Sequence, residues 1–260
     1  MLRPRIIPCL LVHKGGLVKT LRFAESKYVG DPLNAVRIFN EKEVDELIVA
    51  DIDATVEGSE PNYALIANLA SECRMPLGYA GGVKTPEQVE RIIRLGVEKV
   101  AVSSAAIKTP ELIKEAARRV GNQSLVVVLD VKKSGLLGRY ELVTHNGQRG
   151  SGLNPVEFAR MAESLGAGEI LVNSIDRDGT MLGYDYALID QVRDAVSLPM
   201  TVLGGAGSLT DIQDLIKRHG IIGAAAGSLF VFKGKYRAVL IQYPTREQKD
   251  KLISEAVAIS

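Results

Sequence analysis

The chain has 260 residues, 32 basic and 31 acidic side chains, and a hydrophobic share of 46%. This charge balance excludes a nucleic-acid binder that depends on clustered lysine and arginine, and no apolar run approaches the ~20 residues that span a bilayer. Two cysteines without a CxxC spacing and three histidines without a ligand spacing predict reduced thiols, no bound metal and no cofactor. The chain carries no visible export signal, which predicts a cytoplasmic protein.

Short apolar runs typical of buried strands alternate with amphipathic helical patterns along the whole chain. A long polar loop is predicted at residues 13–31, and an insertion at residues 132–152 contains a hairpin signal over 139–147. Strands are predicted at residues 5–12, 46–51, 76–80, 99–103, 125–130, 169–173, 199–203 and 223–228. Helices are predicted at residues 32–40, 63–73, 85–95, 110–120, 155–165, 186–196, 208–218 and 246–256.

Strict alternation of strands and helices requires a parallel sheet, and eight such units in ~250 residues predict an α/β fold of the (β/α)8 TIM barrel type. The alternative is a doubly wound open sheet, which a repeat of four units fits less well. No linker rich in serine, glycine or proline divides the chain. We therefore predict a single domain over residues 1–260, built from two half-barrel repeats at about residues 1–122 and 123–260.

Two glycine segments carry this repeat. The segments AGGV at residues 80–83 and LGGAG at residues 203–207 lie 123 positions apart, and each joins a predicted strand to a predicted helix. Backbone N–H groups in such a loop can bind a phosphate, whereas the simpler interpretation is a tight turn. Two anion sites on one rim predict a substrate phosphorylated at both ends. The candidate phosphate-binding residues are Gly81, Gly82, Ser103, Ser104, Gly204, Gly205, Gly207, Gly227 and Ser228.

Asp130 is the main candidate for acid–base catalysis, because it ends the apolar strand VVVLD, where burial raises the pKa of a carboxyl group. A helix cap or an ion pair with Lys132 is the alternative interpretation. The equivalent strand end in the first half is Leu11, so one acid stands where a pair is expected. Further candidates for substrate binding at the rim are Lys19, Asp51, Asn173 and Asp178.

Charged residues also stand at the opposite ends of four predicted strands, the first, second, fourth and sixth. Two are basic and two are acidic, so together they can form a ring of salt bridges at the bottom opening of a barrel. Ordinary solvated strand starts are the alternative interpretation. The four residues are Arg5, Glu46, Lys99 and Glu169.

These motifs together resemble the cyclase subunit of imidazole glycerol phosphate synthase, a lyase of histidine biosynthesis, over roughly residues 4–232. The matching segments are RIIPCL (5–10), LVKT (17–20), GDP (30–32), VDEL (44–47), GGV (81–83), GAGEILVNSIDRDGT (166–180), GYD (183–185) and GGAG (204–207). The resemblance implies a glutaminase partner at the barrel bottom and ammonia that passes through the barrel. At the top, this ammonia attacks a ribulosyl-imine bisphosphate.

The resemblance also implies roles for individual residues. The four charged strand starts match the family's ammonia gate, and the glycine loops match its phosphate sites. Asp130 matches one of two catalytic aspartates, while Lys19 and Asp51 match other active-site residues. The family's second catalytic aspartate falls at Leu11, and further departures fall at Ala80, Ser103 and Leu203.

The segment at residues 227–244 differs from the histidine enzyme and resembles a paralogous branch found beside surface-polysaccharide genes. In that branch the barrel supplies ammonia to a third protein, which makes an acetamidino group on a nucleotide-linked sugar. The chain is therefore either a cyclase subunit that uses the ammonia itself or a conduit that delivers it elsewhere. A phosphosugar isomerase is a weaker third hypothesis, because it leaves the four charged strand starts unexplained.

Overall fold

The computed structural model describes residues 3–135 and 138–257, so the ends of the predicted domain and residues 136 and 137 of the predicted insertion lie outside the described residues. Eight parallel strands pair in chain order, and the last strand closes on the first through Arg5 and Gly223, which confirms the predicted (β/α)8 barrel. The strands are β1 (Arg5–His13), β2 (Leu47–Asp51), β3 (Leu77–Ala80), β4 (Lys99–Val102), β5 (Leu125–Ser134), β6 (Glu169–Ser174), β7 (Met200–Leu203) and β8 (Gly223–Ala226).

Eight helices cover the outside of the barrel and bury their apolar faces against the strands. Phe39, Phe158 and Phe230 are among the largest side chains fully buried in this outer core. No helix within residues 3–135 and 138–257 is long and apolar enough to cross a membrane. The helices are α1 (Pro32–Glu41), α2 (Tyr63–Glu72), α3 (Pro86–Arg94), α4 (Glu111–Val120), α5 (Pro155–Ser164), α6 (Tyr186–Arg193), α7 (Leu209–His219) and α8 (Arg246–Val257).

Helix starts repeat between the two halves of the chain. Each of three helices in the first half begins at a polar side chain that accepts a backbone N–H of the first turn, and its counterpart 123 positions later does the same. This spacing of 123 residues is the one that separates the two glycine segments, as the predicted half-barrel repeat requires. The capping pairs are Asp31 and Asn154, Asn62 and Asp185, and Thr85 and Ser208.

The barrel interior is apolar through its middle. Side chains alternate along β1, so that Ile6 and Leu10 face the helices while Ile7 and Cys9 face the axis. Leu11 packs against this interior cluster from the rim side. The other members of the interior cluster are Ile48, Ala101, Val126, Val128, Leu171 and Ala225.

The prediction of a long polar loop at residues 13–31 is wrong. The strands Gly16–Thr20 and Ser26–Gly30 form a hairpin there, and the first of them pairs antiparallel with the end of β1. The reason is the segment GLVKT, whose last four side chains are all buried and therefore fix a strand. The predicted hairpin in the insertion is confirmed, since Arg139–Thr144 pairs with β5 and with Arg149–Gly150.

Short elements complete the two rims of the barrel. Three short helices follow β2, β4 and β8, and a hairpin formed by Phe232–Lys233 and Ala238–Val239 follows the last of them. The short helices are Ala54–Glu57, Ser104–Lys108 and Ser228–Val231, and a 3-10 turn at Asn122–Ser124 precedes β5.

Candidate functional site

A cavity of about 750 Å³ opens at the carboxyl ends of the strands, where active sites of this fold lie. Its walls reach down to Cys9, Ile48 and Leu171 of the interior cluster, so the cavity continues the apolar interior upward. The predicted rim residues that line it are Lys19, Asp51, Gly81, Gly82, Ser103, Ser104, Asp130, Asn173, Asp178, Gly204, Gly205, Gly227 and Ser228.

Asp130 lines this cavity and stands on β5 just before the residues that pair with Arg139–Thr144 of the insertion. Asn173 Nδ2 donates to its Oδ1 at 2.9 Å, and Ser103 Oγ donates to its Oδ2 at 3.1 Å. Burial raises the pKa of Asp130, and these two hydrogen bonds only partly oppose the shift. A carboxyl group with a raised pKa can act as a general acid or base towards a bound substrate.

A second buried carboxyl group, Asp178, faces the same cavity. Thr20 Oγ1 donates to its Oδ2 at 2.8 Å, and burial raises its pKa. Lys19 is also buried, its Nζ donates to the Cys9 carbonyl oxygen, and burial lowers its pKa. Burial likewise raises the pKa of the Cys9 thiol to about 11, so this cysteine stays protonated.

Leu11 occupies the β1 position that faces Asp130 across the rim. Its side chain packs against the apolar interior cluster and lines the cavity. Leucine cannot exchange a proton, so β1 adds no acid to the site, and the carboxyl groups that line the cavity besides Asp130 are Asp51 at the end of β2 and Asp178 in the loop after β6. From the sequence, Asp178 is predicted to bind substrate and is not paired with Asp130.

Asp51 has a local structural task in addition to its place in the cavity wall. Its Oδ1 accepts the backbone N–H groups of Asp53 at 3.0 Å and Ala54 at 3.2 Å, which holds the start of the short helix Ala54–Glu57. A Cβ on Gly81 would lie 2.4 Å from the Asp51 carbonyl oxygen, so the close approach of these two segments requires glycine.

The second glycine loop is equally tight. Gly205 has a φ of +111°, and a Cβ there would lie 2.2 Å from the Gly183 carbonyl oxygen. Gly207 differs from the rest of the loop, because it is not among the cavity-lining residues and its N–H donates to Asp211 Oδ2 at 2.9 Å. Its backbone group belongs to the start of α7, and the structure does not bring it to the cavity as the phosphate-site prediction requires.

Four basic residues that the sequence analysis missed also line the cavity. His145 comes from the insertion after β5, and its backbone N–H donates to Ser104 Oγ at 3.4 Å. Arg149 Nη1 lies 3.4 Å from His145 Nε2. Lys84 and Lys108 follow β3 and β4. For His145 and Arg149 the sequence signal is the hairpin, which predicts that the insertion folds but not where it points, and Lys84 and Lys108 lie outside that motif.

The four charged strand starts meet at the opposite end of the barrel and form the predicted ring of salt bridges. Arg5 donates to Glu46 and, at 2.6 Å, to Glu169. Lys99 Nζ lies 3.0 Å from Glu46 and 2.9 Å from Glu169, so the charges alternate around the ring. Burial alone raises the pKa of Glu169, but attraction to Arg5 and Lys99 outweighs it and lowers the pKa overall.

The chain is similar to known proteins over nearly its whole length. A family model described as histidine biosynthesis protein matches residues 5–237. A protein of Leptospira interrogans with the provisional name imidazole glycerol phosphate synthase subunit HisF is 58% identical over 252 residues, which cover 97% of this chain and 99% of the relative.

Two further relatives carry the same provisional subunit name with a paralogue number. The hisF3 protein of Vibrio vulnificus is 54% identical over 97% of both chains, and the hisF2 protein of Pseudomonas aeruginosa is 52% identical over 96% of this chain and 99% of its own length. The chain therefore belongs to the histidine biosynthesis protein family and stands among its HisF-type cyclase subunits.

Proposed function

We propose that this chain is the barrel subunit of a two-protein glutamine amidotransferase. A glutaminase binds the face that carries the charged ring, and its ammonia passes through the barrel interior to the cavity at the other end. There the ammonia reacts with a substrate that carries two phosphate groups, in the lyase and cyclase chemistry of imidazole glycerol phosphate synthase.

The observation that carries this proposal is the pairing of a charged ring with an apolar interior. Glu46 and Glu169 are buried and each bonds both Arg5 and Lys99, so the ring is a closed polar floor. Above it, the interior cluster offers nothing that solvates an ion. Because burying an unpaired ammonium ion is costly, such an interior favours the passage of neutral ammonia.

The cavity supports the second half of the proposal. Asp130 has a raised pKa and hydrogen-bonding neighbours that fix its orientation, which suits a residue that donates and accepts protons. The loops at Gly81-Gly82 and Gly204-Gly205 follow β3 and β7, on opposite sides of the cavity, and can each hold one phosphate of the substrate.

Leu11 favours a second candidate function. Removing one member of an acid–base pair costs on the order of 10²–10⁴ in rate, so a barrel with leucine at this position is a poor cyclase by itself. In this case the subunit activates the glutaminase and delivers ammonia to a third protein, which makes an acetamidino group on a nucleotide-linked sugar for surface polysaccharide.

A steady-state assay separates these functions. The bisphosphate substrate and an ammonium salt are given to the unmodified protein, to Leu11→Asp and to the matched control Leu203→Asp, which places a carboxyl group at the same rim on β7. If the chain is a cyclase, the unmodified protein turns over at rates typical of enzymes, and neither variant is faster.

The conduit function predicts a different pattern. The unmodified protein has no turnover but stimulates a glutaminase, and Leu11→Asp gains cyclase activity while Leu203→Asp does not. Failure to turn over the bisphosphate together with failure to stimulate any glutaminase encoded near this chain would reject both functions.

A further inference from the structure

The two ends of the cavity differ in charge. On the side formed by the loops after β3, β4 and β5, the lining includes Lys84, Lys108, His145 and Arg149. On the side formed by the loops after β7 and β8, the lining is mostly uncharged and includes Gly205, Gly227 and Ser228, and within the described part of the chain its one cation is the buried Lys19, whose Nζ lies beside Gly227. We call the first side the basic end of the cavity.

The cations of the basic end have no carboxylate partner. Within residues 3–135 and 138–257, Lys84, Lys108 and Arg149 each lie beyond ion-pair distance of every acidic side chain. Lys84 Nζ instead donates to the carbonyl oxygens of Gly58 at 2.7 Å and Ser59 at 3.1 Å, which ties it to the segment that follows the short helix Ala54–Glu57. The cluster is therefore a concentration of unneutralised positive charge on one wall of a concave site.

The cluster is also tied to the predicted phosphate loop. His145 bonds Ser104 through its backbone and contacts Arg149 through its ring, so the insertion brings both residues beside the serines that follow β4. Burial and the neighbouring charges of Arg149 and Lys108 lower the pKa of His145, which is the expected response of a titratable group among cations.

A single phosphate does not need this much charge. A phosphate monoester carries roughly −1.5 to −2 at neutral pH, and the opposite loop offers backbone N–H groups, Ser228 and the neighbouring cations Lys19 and Arg237 for a ligand of that charge. The three cations and the histidine around the first loop match an anion of higher charge than a single phosphate, and charge-assisted hydrogen bonds from several cations favour it further.

We propose that the basic end of the cavity binds a diphosphate group, whereas the opposite end binds at most a single phosphate. This inference rests on the anion-binding part of the proposed function and deepens it, because it replaces the single phosphate at the Gly81-Gly82 loop by a diphosphate and so makes the natural ligand a diphosphate ester. It requires no ammonia, no glutaminase and no turnover.

Calorimetric titration of the purified chain with inorganic phosphate and with inorganic pyrophosphate, in buffer that contains EDTA, tests the proposal. Three proteins are compared: the unmodified chain, the double variant Lys108→Ala with Arg149→Ala, and the double variant Lys233→Ala with Lys235→Ala. The last is a matched control, since it removes two exposed cations from a hairpin outside the cavity lining. The substituted residues are all exposed, and equal unfolding midpoints verify that the variants fold.

We expect pyrophosphate to bind the unmodified chain about tenfold or more tightly than phosphate, and to lose about tenfold in affinity in the cavity variant only. Equal affinity for the two anions in the unmodified chain overturns this inference and leaves the proposed phosphate sites standing. An equal loss of pyrophosphate affinity in both double variants also overturns it, because the charge effect is then nonspecific. If the unmodified chain binds neither anion, the inference and the proposed phosphate sites fail together.

Discussion

Replacement of Lys99 by methionine isolates the energetics of the charged ring. Methionine keeps most of the apolar stem of lysine but removes the ammonium group, which lies 2.9–3.1 Å from oxygens of both Glu46 and Glu169. After the change, the two buried carboxylates share only Arg5. Removing one partner of a buried ion pair lowers the free energy of unfolding by about 3–5 kcal/mol. Because Arg5 still contacts both carboxylates, we expect a loss of about 3 kcal/mol in this variant.

The loss of unfolding free energy in this variant depends on pH, because the ring shifts the pKa of Glu169. In the unmodified protein the folded-state pKa of Glu169 is lowered, so its ionisation contributes stability above the unfolded pKa, and this contribution is lost as pH falls through the folded pKa. Without Lys99, burial raises that pKa again, and Glu169 takes up a proton at milder acidity. We therefore expect the destabilisation to be largest near neutral pH and smaller in acid.

Urea unfolding of the unmodified chain and the variant at about pH 7 and about pH 4.5 measures the size of the destabilisation and its dependence on pH. The matched control is Lys114→Met on the exposed face of α4, which we expect to change the free energy of unfolding by less than about 0.5 kcal/mol. A loss at Lys99 as small as in this control, or one that grows as the pH falls, would refute the reasoning.

The same variant distinguishes a gate from a structural ring. If the ring controls entry of ammonia, Lys99→Met changes the glutamine-dependent reaction of the complex more than the reaction with free ammonium salt. Equal losses with both nitrogen sources mean that the ring only stabilises the barrel.

Two further changes test the cavity. Asp130→Asn is expected to lower turnover at the rim by about 10²–10⁴ and yet to raise the free energy of unfolding by about 1 kcal/mol. The folded-state pKa of Asp130 is raised, so ionisation of the buried carboxyl group opposes folding above its unfolded pKa, and a gain that does not shrink on acidification contradicts this account. Gly205→Ala is expected to destabilise the chain by about 2 kcal/mol or more, because its Cβ would lie 2.2 Å from the Gly183 carbonyl oxygen at a φ of +111°. Gly220→Ala is the control, because Gly220 has a φ of +66° and no atom within 4 Å of its Cβ position. We expect it to lose only the backbone strain of about 1 kcal/mol. Similar losses at both positions would argue against a clash between the Cβ at position 205 and the Gly183 carbonyl oxygen.

Local hydrophobic patterns carry most of the information about this fold. The runs LIVAD and LVVVLD are buried strands because their apolar side chains meet the helices on one face and the barrel axis on the other. The ring of salt bridges was also predictable, since parallel strands of similar register bring their first residues into one layer. Arg5, Glu46, Lys99 and Glu169 therefore meet although up to 164 positions separate them.

Features that depend on where a loop points were not predictable. Lys19 falls in the long polar loop predicted from the sequence and lies instead in a buried strand, because its hairpin packs against the end of β1. The basic end of the cavity takes Lys84, Lys108 and Arg149 from three separate loops, and no spacing in the sequence connects them. Gly207 has the pattern of a phosphate loop, yet the capping bond to Asp211 engages its N–H.

The leucine at position 11 links the interior of the barrel to the chemistry at its rim. A carboxylate there would put a charge at the top of the apolar interior, in the same cavity as Lys19 and Asp130. Leucine instead continues the cluster of Ile7 and Cys9 up to the cavity, so the apolar surface extends one layer further from the ring. Under the proposed function, leucine at this position therefore weakens proton transfer at β1 and also lengthens the apolar path that would favour neutral ammonia over ammonium. Both effects favour the second candidate function, in which the barrel delivers ammonia to another protein, over the cyclase function, in which it consumes the ammonia. The variant Leu11→Asp would reverse both effects together.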